Sequence, residues 1–314
     1  MTQITTLTLA PSLDSATTTD RMYAEGKLRC SAPLFEPGGG GINVARAIVH
    51  LGGQATALFP IGGPTGRHLA ELLTLEGVCA DTIETHDWTR QNLHVHVAST
   101  GEQYRFVMPG AHLTPAEFQL FEQRLEQLET DSLLVISGSL PPGISTEDLQ
   151  HLLVKAQRLG LRCIIDSSGP ALKACLDIGH LALVKPNQKE LAELVNRELN
   201  DPDAVRRAAM EIITQGKTER VVVSLGPQGA MAVDKKGAFQ VVPPPVKTMS
   251  TVGAGDSMVG AMTQKLADGA DLLDMVRYGV AAGSAATLHT GTRLCTQEDT
   301  QRIYDYLRSD VITA

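Results

Sequence analysis

Through the middle of the chain, short apolar runs alternate with longer segments whose apolar residues recur at helical spacing. SLLVISGSLPPG (132–143) reads as a buried strand that breaks at glycine and proline. STEDLQHLLVKAQRLG (145–160) follows as a helix. Ser145, Thr146 and Asp148 form a capping pattern, Leu149, Leu152, Leu153, Ala156 and Leu159 share a face, and Gly160 stops it. LRCIIDSSG (161–169), LALVKPN (181–187) and RVVVSLGPQGA (220–230) repeat the strand pattern. The segments QKELAELVNREL and DAVRRAAMEIITQG supply helices between them. Near-continuous Val, Ile and Leu strands separated by helices predict an α/β fold with a mostly parallel sheet covered on both faces. Ligands in such folds bind beyond the carboxyl ends of the strands. Gly138, Asp166, Lys185, Asn187, Ser224 and Gly226 stand there.

The early chain has a different rhythm. QNLHVHVAS (91–99) alternates, with Leu93, Val95 and Val97 on one face and His94 and His96 on the other. EQYRFVMPG (102–110) follows a short turn, so an antiparallel hairpin with one polar face is expected. The stretch from Asp20 to Pro33 is expected to add a strand. A small sheet beside a parallel body suggests a lid or an oligomer contact. PPPVK (243–247) is a rigid connector.

The 314 residues suffice for one large α/β domain, and 43% hydrophobic content supplies its core. With only 20% charged residues, a disordered chain is excluded. A formal net charge of −8 argues against nonspecific binding to nucleic acid. Cys30, Cys79, Cys163, Cys175 and Cys295 are scattered without CxxC spacing, as expected of thiols in a reducing cytosol. No apolar run reaches the roughly 18 residues of a membrane helix. MTQITTLTLAPSLDS has no basic leader with an apolar block, so a cytoplasmic protein without membrane attachment is expected.

Candidate chemistry lies in the glycine clusters. PGGGGINVARAIVHLGG (37–53) leads into a helix expected to begin near Asn43. It is either a tight turn or a place where backbone N–H groups approach a polar ligand. A dinucleotide fingerprint fails, because Asn43 stands where the third glycine belongs and no acidic residue ends ATALFPIGG. GxxxxGK[ST] is absent, which excludes a P-loop. In STVGAGDSMVGAM (250–262), Gly253, Ala254 and Gly255 could form an anion hole at a helix start. Asp256 is then either a general base or a residue complementing the helix dipole. In KPNQKEL (185–191), Asn187 and Glu190 share a helical face. They are either oxygen ligands for Mg²⁺ or a capping box. SLGPQG (224–229) is either a loop under a nucleotide or a turn between strands. HVH (94–96) supplies too few ligands for a metal.

GGGGINVAR and STVGAGDSMVGAM, with NxxE at Asn187 to Glu190 between them, resemble the ribokinase-like (pfkB) family of carbohydrate kinases. The resemblance runs from TLTLAPSLD to GTRLC, essentially the whole chain. It implies one ribokinase-like α/β domain over 1–314, with a β-sheet lid formed by approximately 16–32 and 87–109 and used for homodimerisation. It implies Asp256 as catalytic base and Gly253, Ala254 and Gly255 as anion hole. Asp14, Gly39, Gly40, Gly41 and Asn43 match the sugar side, and Lys185, Asn187, Ser224, Gly226 and Gly229 the nucleotide side. Glu190 matches the Mg²⁺-phosphate motif. Ser250, Val252, Ala286, Gly291 and Arg293 occupy the loops of a monovalent cation, K⁺, behind the anion hole, and His289 stands where the family has Asn. Many phosphosugar relatives carry a lysine in the first glycine cluster, which is all glycine here, as in the 6-phosphofructokinases. The implied reaction moves the γ-phosphate of ATP, accompanied by Mg²⁺, to the 1-hydroxyl of fructose 6-phosphate. Tagatose-6-phosphate kinase or 1-phosphofructokinase activity is the alternative, and a non-catalytic sugar-phosphate-binding relative the alternative of another class. Among the cations near the lid (Lys27, Arg29, Arg90 and Arg105), Arg90 is best placed to grip the sugar's phosphate. Arg105 is a second candidate, and Lys27 could reach over from a paired subunit.

Overall fold

Alternate residues of the apolar runs point to opposite sides of one sheet, and both sides are buried. Leu133, Val135, Ile164 and Val222 join one core with Ile42, Ile48, Val259, Met262 and Val276. Their neighbours Leu134, Ile136, Ile165 and Val223 join another with Leu149, Leu152, Val205 and Ile212. Two-sided burial is why these strands show no polar alternation. The computed structural model describes residues 2–289, 291 and 293–309. Among them, the large sheet runs in the order Gly237–Val241, Ala230–Asp234, Arg220–Ser224, Leu183–Val184, Arg162–Asp166, Leu133–Ser137, Ile4–Leu7, Thr56–Ile61, Cys79–Glu84. Neighbours are parallel from Arg220–Ser224 onward. The first two strands add antiparallel at the edge. The helix expected over 145–160 is Thr146–Arg158, with Ser145 as N-cap and Asp148 closing a capping box. No helix among the described residues is long and apolar enough to cross a membrane.

The second sheet has the order Leu34–Gly38, Ser12–Thr19, Arg90–Val97, Gln103–Phe106. The last two strands form the expected antiparallel hairpin. Ser12–Thr19 pairs parallel with Arg90–Val97 and antiparallel with Leu34–Gly38. The sheet therefore begins at Ser12, before the expected 16, and the chain returns to it at Leu34. Residues 20–29 lie outside its strands. Their sequence, DRMYAEGKLR, lacks the two-residue alternation that a half-buried strand needs.

The helix after the first glycine cluster is Gly40–His50, so it starts three residues before Asn43 and takes glycines into its first turn. Gly39 caps it at φ 120, and no capping side chain is present. Instead, Thr8 at the end of the first strand accepts the Ile42 N–H through Oγ1 at 2.8 Å. A Cβ at Gly41 would lie 2.6 Å from that Oγ1 and 2.7 Å from the Leu7 carbonyl oxygen. Only glycine lets the helix start come so close to the strand end.

Thr8→Val keeps the side chain's shape and removes the acceptor from a buried N–H. It should destabilise the fold by about 1–3 kcal/mol, read from urea unfolding, while Thr8→Ser stays near wild type. Equal stability of all three would mean that the helix start does not depend on this bond.

Candidate active site

Two helix N-termini meet at Asp256. Gly253 caps the helix Ala254–Ala267 in the left-handed conformation, φ 75, and Asp256 lies in its first turn. This helix packs against Gly40–His50 closely enough that a Cβ at Gly260 would lie 2.9 Å from the Ala47 Cβ. Across that contact, Asn43 Nδ2 donates to Asp256 Oδ2 at 2.9 Å. The Asn43 amide is held at its other end, because its Oδ1 accepts from Arg46 Nη1 at 3.1 Å. Arg46 is buried, and its guanidinium also donates to the Pro37 carbonyl. Glu76 takes it with both oxygens, at 2.7 and 2.8 Å. Burial alone would raise the Glu76 pKa, but hydrogen bonds from His50 and Arg46 bring it down to about 2.

Asp256 is half-buried at the surface, yet protein surrounds its carboxyl on nearly every side. That burial, with the negative charge of Asp166, pushes its pKa up to about 7, while the Asn43 hydrogen bond, Lys185 and Arg46 pull the other way. Asp166 ends its strand, and its Oδ1 lies 3.1 Å from Lys185 Nζ. Its Oδ2 accepts from Ser137 Oγ at 3.3 Å. Burial pulls the Lys185 pKa down, but the charge and hydrogen bond of Asp166 outweigh this, so it ends raised and the ammonium stays charged. Lys185, expected on the nucleotide side, is thus an ion-pair partner of Asp166 and a charge beside Asp256.

Of the residues expected to face a sugar, Asp14 accepts through Oδ1 from Ser12 Oγ at 2.7 Å and from Asn92 Nδ2 at 2.8 Å. Gly39 is the N-cap of the nearby helix, and Gly40 and Gly41 are its first two residues. Arg90 straps the base of the second sheet, its Nη2 donating to the Ala10 carbonyl at 2.9 Å and its Nη1 to that of Met108 at 2.8 Å. Nε adds a longer bond to Pro11. Burial lowers its pKa and Asp14 works against this. Lys27 lies in the exposed 20–29 segment, where its carbonyl accepts from the Tyr23 hydroxyl. Arg105 lines a cavity of about 500 Å³ between the second sheet and Met249, Val252 and Gly291.

Of the residues expected to face a nucleotide and its metal, Asn187 and Glu190 form a complete capping box, with both bonds at 2.8 Å. Asn187 is bridged to Ser224, whose N–H donates to the Pro186 carbonyl. Gly226 opens a 3₁₀ turn that joins antiparallel strands, and Gly229 closes it at φ 77. A side chain at Gly229 would run into the Val241 carbonyl. In the loops behind the GAG turn, Ser250 Oγ donates to the Gly291 carbonyl at 2.8 Å and accepts from the Val252 N–H. Ala286 ends its helix one residue before Thr287, whose carbonyl accepts from Met249. Arg293 is exposed. His289 lies 3.3 Å from Asp299.

Sequence reasoning named Asp166 only as a strand end and overlooked Arg46, Glu76, Ser12 and Asn92. The rule that gave Lys185 a place would also have served Asp166. Arg46 stands three residues after Asn43, on the same helical face.

Residues 7–299 match the family described as pfkB family carbohydrate kinase. The chain is 67% identical, over 307 residues, to the ATP-dependent 6-phosphofructokinase isozyme 2 of Escherichia coli (strain K12), covering 98% of this chain and 99% of that one. Its fold superposes on the crystal structure of phosphofructokinase-2 from E. coli in complex with potassium. The TM-score is 0.96 and the identity 66%, over 98% of this chain and 100% of the other. Against the complex of the same enzyme with fructose-6-phosphate, the TM-score is 0.94 at 65% identity, again over 98% and 100%.

A carboxyl whose folded pKa is raised makes the fold bind protons more tightly than the unfolded chain does. Its contribution therefore lowers stability as pH climbs from about 4 to about 7. Asp256→Asn removes that titration. The variant should melt above wild type at pH 8, by about 2 °C or more, and the gap should narrow toward pH 5. A constant gap across this range would contradict the raised pKa.

Proposed function

This chain belongs to the pfkB family of carbohydrate kinases, and on that premise we propose that it is an ATP-dependent 6-phosphofructokinase. It carries the γ-phosphate of ATP to the 1-hydroxyl of fructose 6-phosphate. The observation that carries the reaction type is the Asp256 carboxyl, with its pKa at about 7, at the N-terminus of a helix and hydrogen-bonded to Asn43. The choice of sugar is supported by 67% identity to a 6-phosphofructokinase over nearly all of both chains.

Ionised Asp256 accepts the proton of the attacking 1-hydroxyl. A base whose pKa lies near the working pH is ionised in a substantial fraction of molecules and still basic enough to help. The N–H groups of Gly253, Ala254 and Gly255 hold charge on the transferring phosphoryl group. Asp14 and Asn43 orient the sugar hydroxyls, beside the glycine helix start that carries Asn43. Arg90 has five N–H donors and gives three to main-chain carbonyls, so donors remain for the sugar's phosphate. Arg105 and a partner subunit's lysine equivalent to Lys27 are further candidates for that phosphate. Ser224, Gly226, Gly229 and Asn187 border the nucleotide, with Lys185 adding positive charge.

The carboxylate of Glu190 and the side-chain oxygen of Asn187 are of the kind that suits a hard cation. Glu190, with Asn187 through water, would hold Mg²⁺, whose bound charge neutralises the phosphates of ATP. Ser250, Val252, Ala286, Gly291 and Arg293 would surround K⁺ and place positive charge behind the GAG turn. Exposed Leu34, Tyr104, Phe106 and Met108 on and beside the second sheet support a homodimer through this lid. The cytoplasm, where ATP and sugar phosphates are found, is the proposed compartment.

The deciding assay is ADP release from Mg-ATP with fructose 6-phosphate, tagatose 6-phosphate, fructose 1-phosphate and ribose each supplied in turn. The expected result is the highest kcat/KM with fructose 6-phosphate; a clear preference for another sugar would overturn that choice. Asp256→Asn should lower kcat by about 100-fold or more with little change in ATP binding. Wild-type kcat/KM should fall as pH drops through about 7, where Asp256 takes up its proton. Near-normal turnover in the variant would remove Asp256 from the base role.

A further inference from the structure

Asn92 faces Asp14 across the parallel pair Ser12–Thr19 and Arg90–Val97, where the two are register partners. It is only 6% exposed, although its amide is wholly polar. The amide makes two bonds of opposite sense. Its Nδ2 donates to Asp14 Oδ1 at 2.8 Å, and its Oδ1 accepts the Met108 N–H at 3.0 Å. A main-chain N–H can only donate, so the Met108 bond fixes which end of the amide meets Asp14. Ser12 Oγ donates to the same carboxylate oxygen at 2.7 Å. Both donors thus converge on Oδ1, and among the described residues no hydrogen bond holds Oδ2. Met108, just past the strand Gln103–Phe106, also gives its carbonyl to Arg90 at 2.8 Å. The point where the chain leaves the second sheet is therefore gripped at both its N–H and its carbonyl by residues 90 and 92.

We propose that Asn92 is a positioning residue for sugar binding. It locks the Asp14 carboxylate by one oxygen, presents the other to the sugar hydroxyls, and ties that orientation to the seating of the second sheet at Met108. The proposal rests on the reading of Asp14 as the hydroxyl acceptor. Preorganisation of this kind lowers what substrate binding must supply to orient the carboxylate.

Asn92→Asp separates this role from simple packing. The shape and the acceptor for Met108 are retained, but a donor to Asp14 becomes a second carboxylate. Two carboxylates at this distance repel, and one of them takes up a proton more readily than usual. The charged groups next to Asp14 are Arg90, on which its charge acts, and Glu36, its register partner on the opposite strand. At pH 8, the Kd for fructose 6-phosphate, measured without ATP by equilibrium dialysis, should rise about tenfold or more relative to wild type. On lowering the pH to 6 the ratio of variant to wild type should shrink, because a shared proton restores a donor to Oδ1. Wild type run in parallel cancels titration of the sugar phosphate itself. Asn92→Ala should show a comparable rise at pH 8 with a ratio that does not recover. ATP binding should stay within about twofold in both variants, which also reports that they fold.

An unchanged sugar Kd in Asn92→Asp would overturn the proposal, as would equal losses of sugar and ATP binding or a defect independent of pH. The sugar used is the one on which the wild-type chain turns over best, so a wrong choice of phosphosugar appears as a change of substrate and is distinguished from failure here. Should Asn92→Asp not fold, Asn92→Ala decides the matter by the same contrast between sugar and ATP.

Discussion

The carboxyl of Asp256 lies where two helix N-termini converge, and its proton affinity is set by a contest between fixed neighbours. Burial and Asp166 favour the neutral acid, whereas Asn43, Lys185 and Arg46 favour the anion. Neither side can be removed without the other overshooting. Without Lys185, Asp166 would sit unbalanced beside a second carboxylate. Without Asp166, a buried ammonium would press Asp256 toward a permanently ionised carboxylate that is too weak a base. The Arg46–Glu76 pair works at one remove, because it fixes the Asn43 amide so that its N–H end faces Asp256. Buried charges of both signs cost solvation, and they persist together here because each is hydrogen-bonded.

Bland and functional readings of a motif need not compete. Asn187 and Glu190 make both bonds of a capping box. SLGPQG is a turn between antiparallel strands. These local roles make the motifs stiff. Stiffness is what a nucleotide site requires of groups that must be in place before phosphates arrive. The capping bond engages Glu190 through Oε2, which orients the rest of that carboxylate.

How much was legible follows from the range of each interaction. Leu133 to Ile136 announce a strand buried on both faces by their own sequence, and Ser145 with Asp148 announces a helix start within four residues. The start of the glycine helix was misplaced because the acceptor for its Ile42 N–H is Thr8, just past a strand far away in sequence. The strand at Leu34–Gly38 went unread because two of its positions are proline and glycine, poor strand formers. Arg46 could be suspected from its spacing to Asn43, but Glu76 lies thirty residues on and nothing local marks it. Lys185 was legible at a strand end, but its ion-pair partner was not, since only the fold shows that Asp166 ends the adjacent strand.

The Asp14–Asn92 pairing depends on strand register, and this restricts how the protein can diverge. Side chains alternate between faces along a strand, so adding or deleting one residue in Ser12–Thr19 or Arg90–Val97 would turn one partner away from the other. Substitutions can move through this pocket one at a time. Changes of chain length within these two strands cannot, and diversification by length is left to the connections between strands, such as the exposed turn at 98–102.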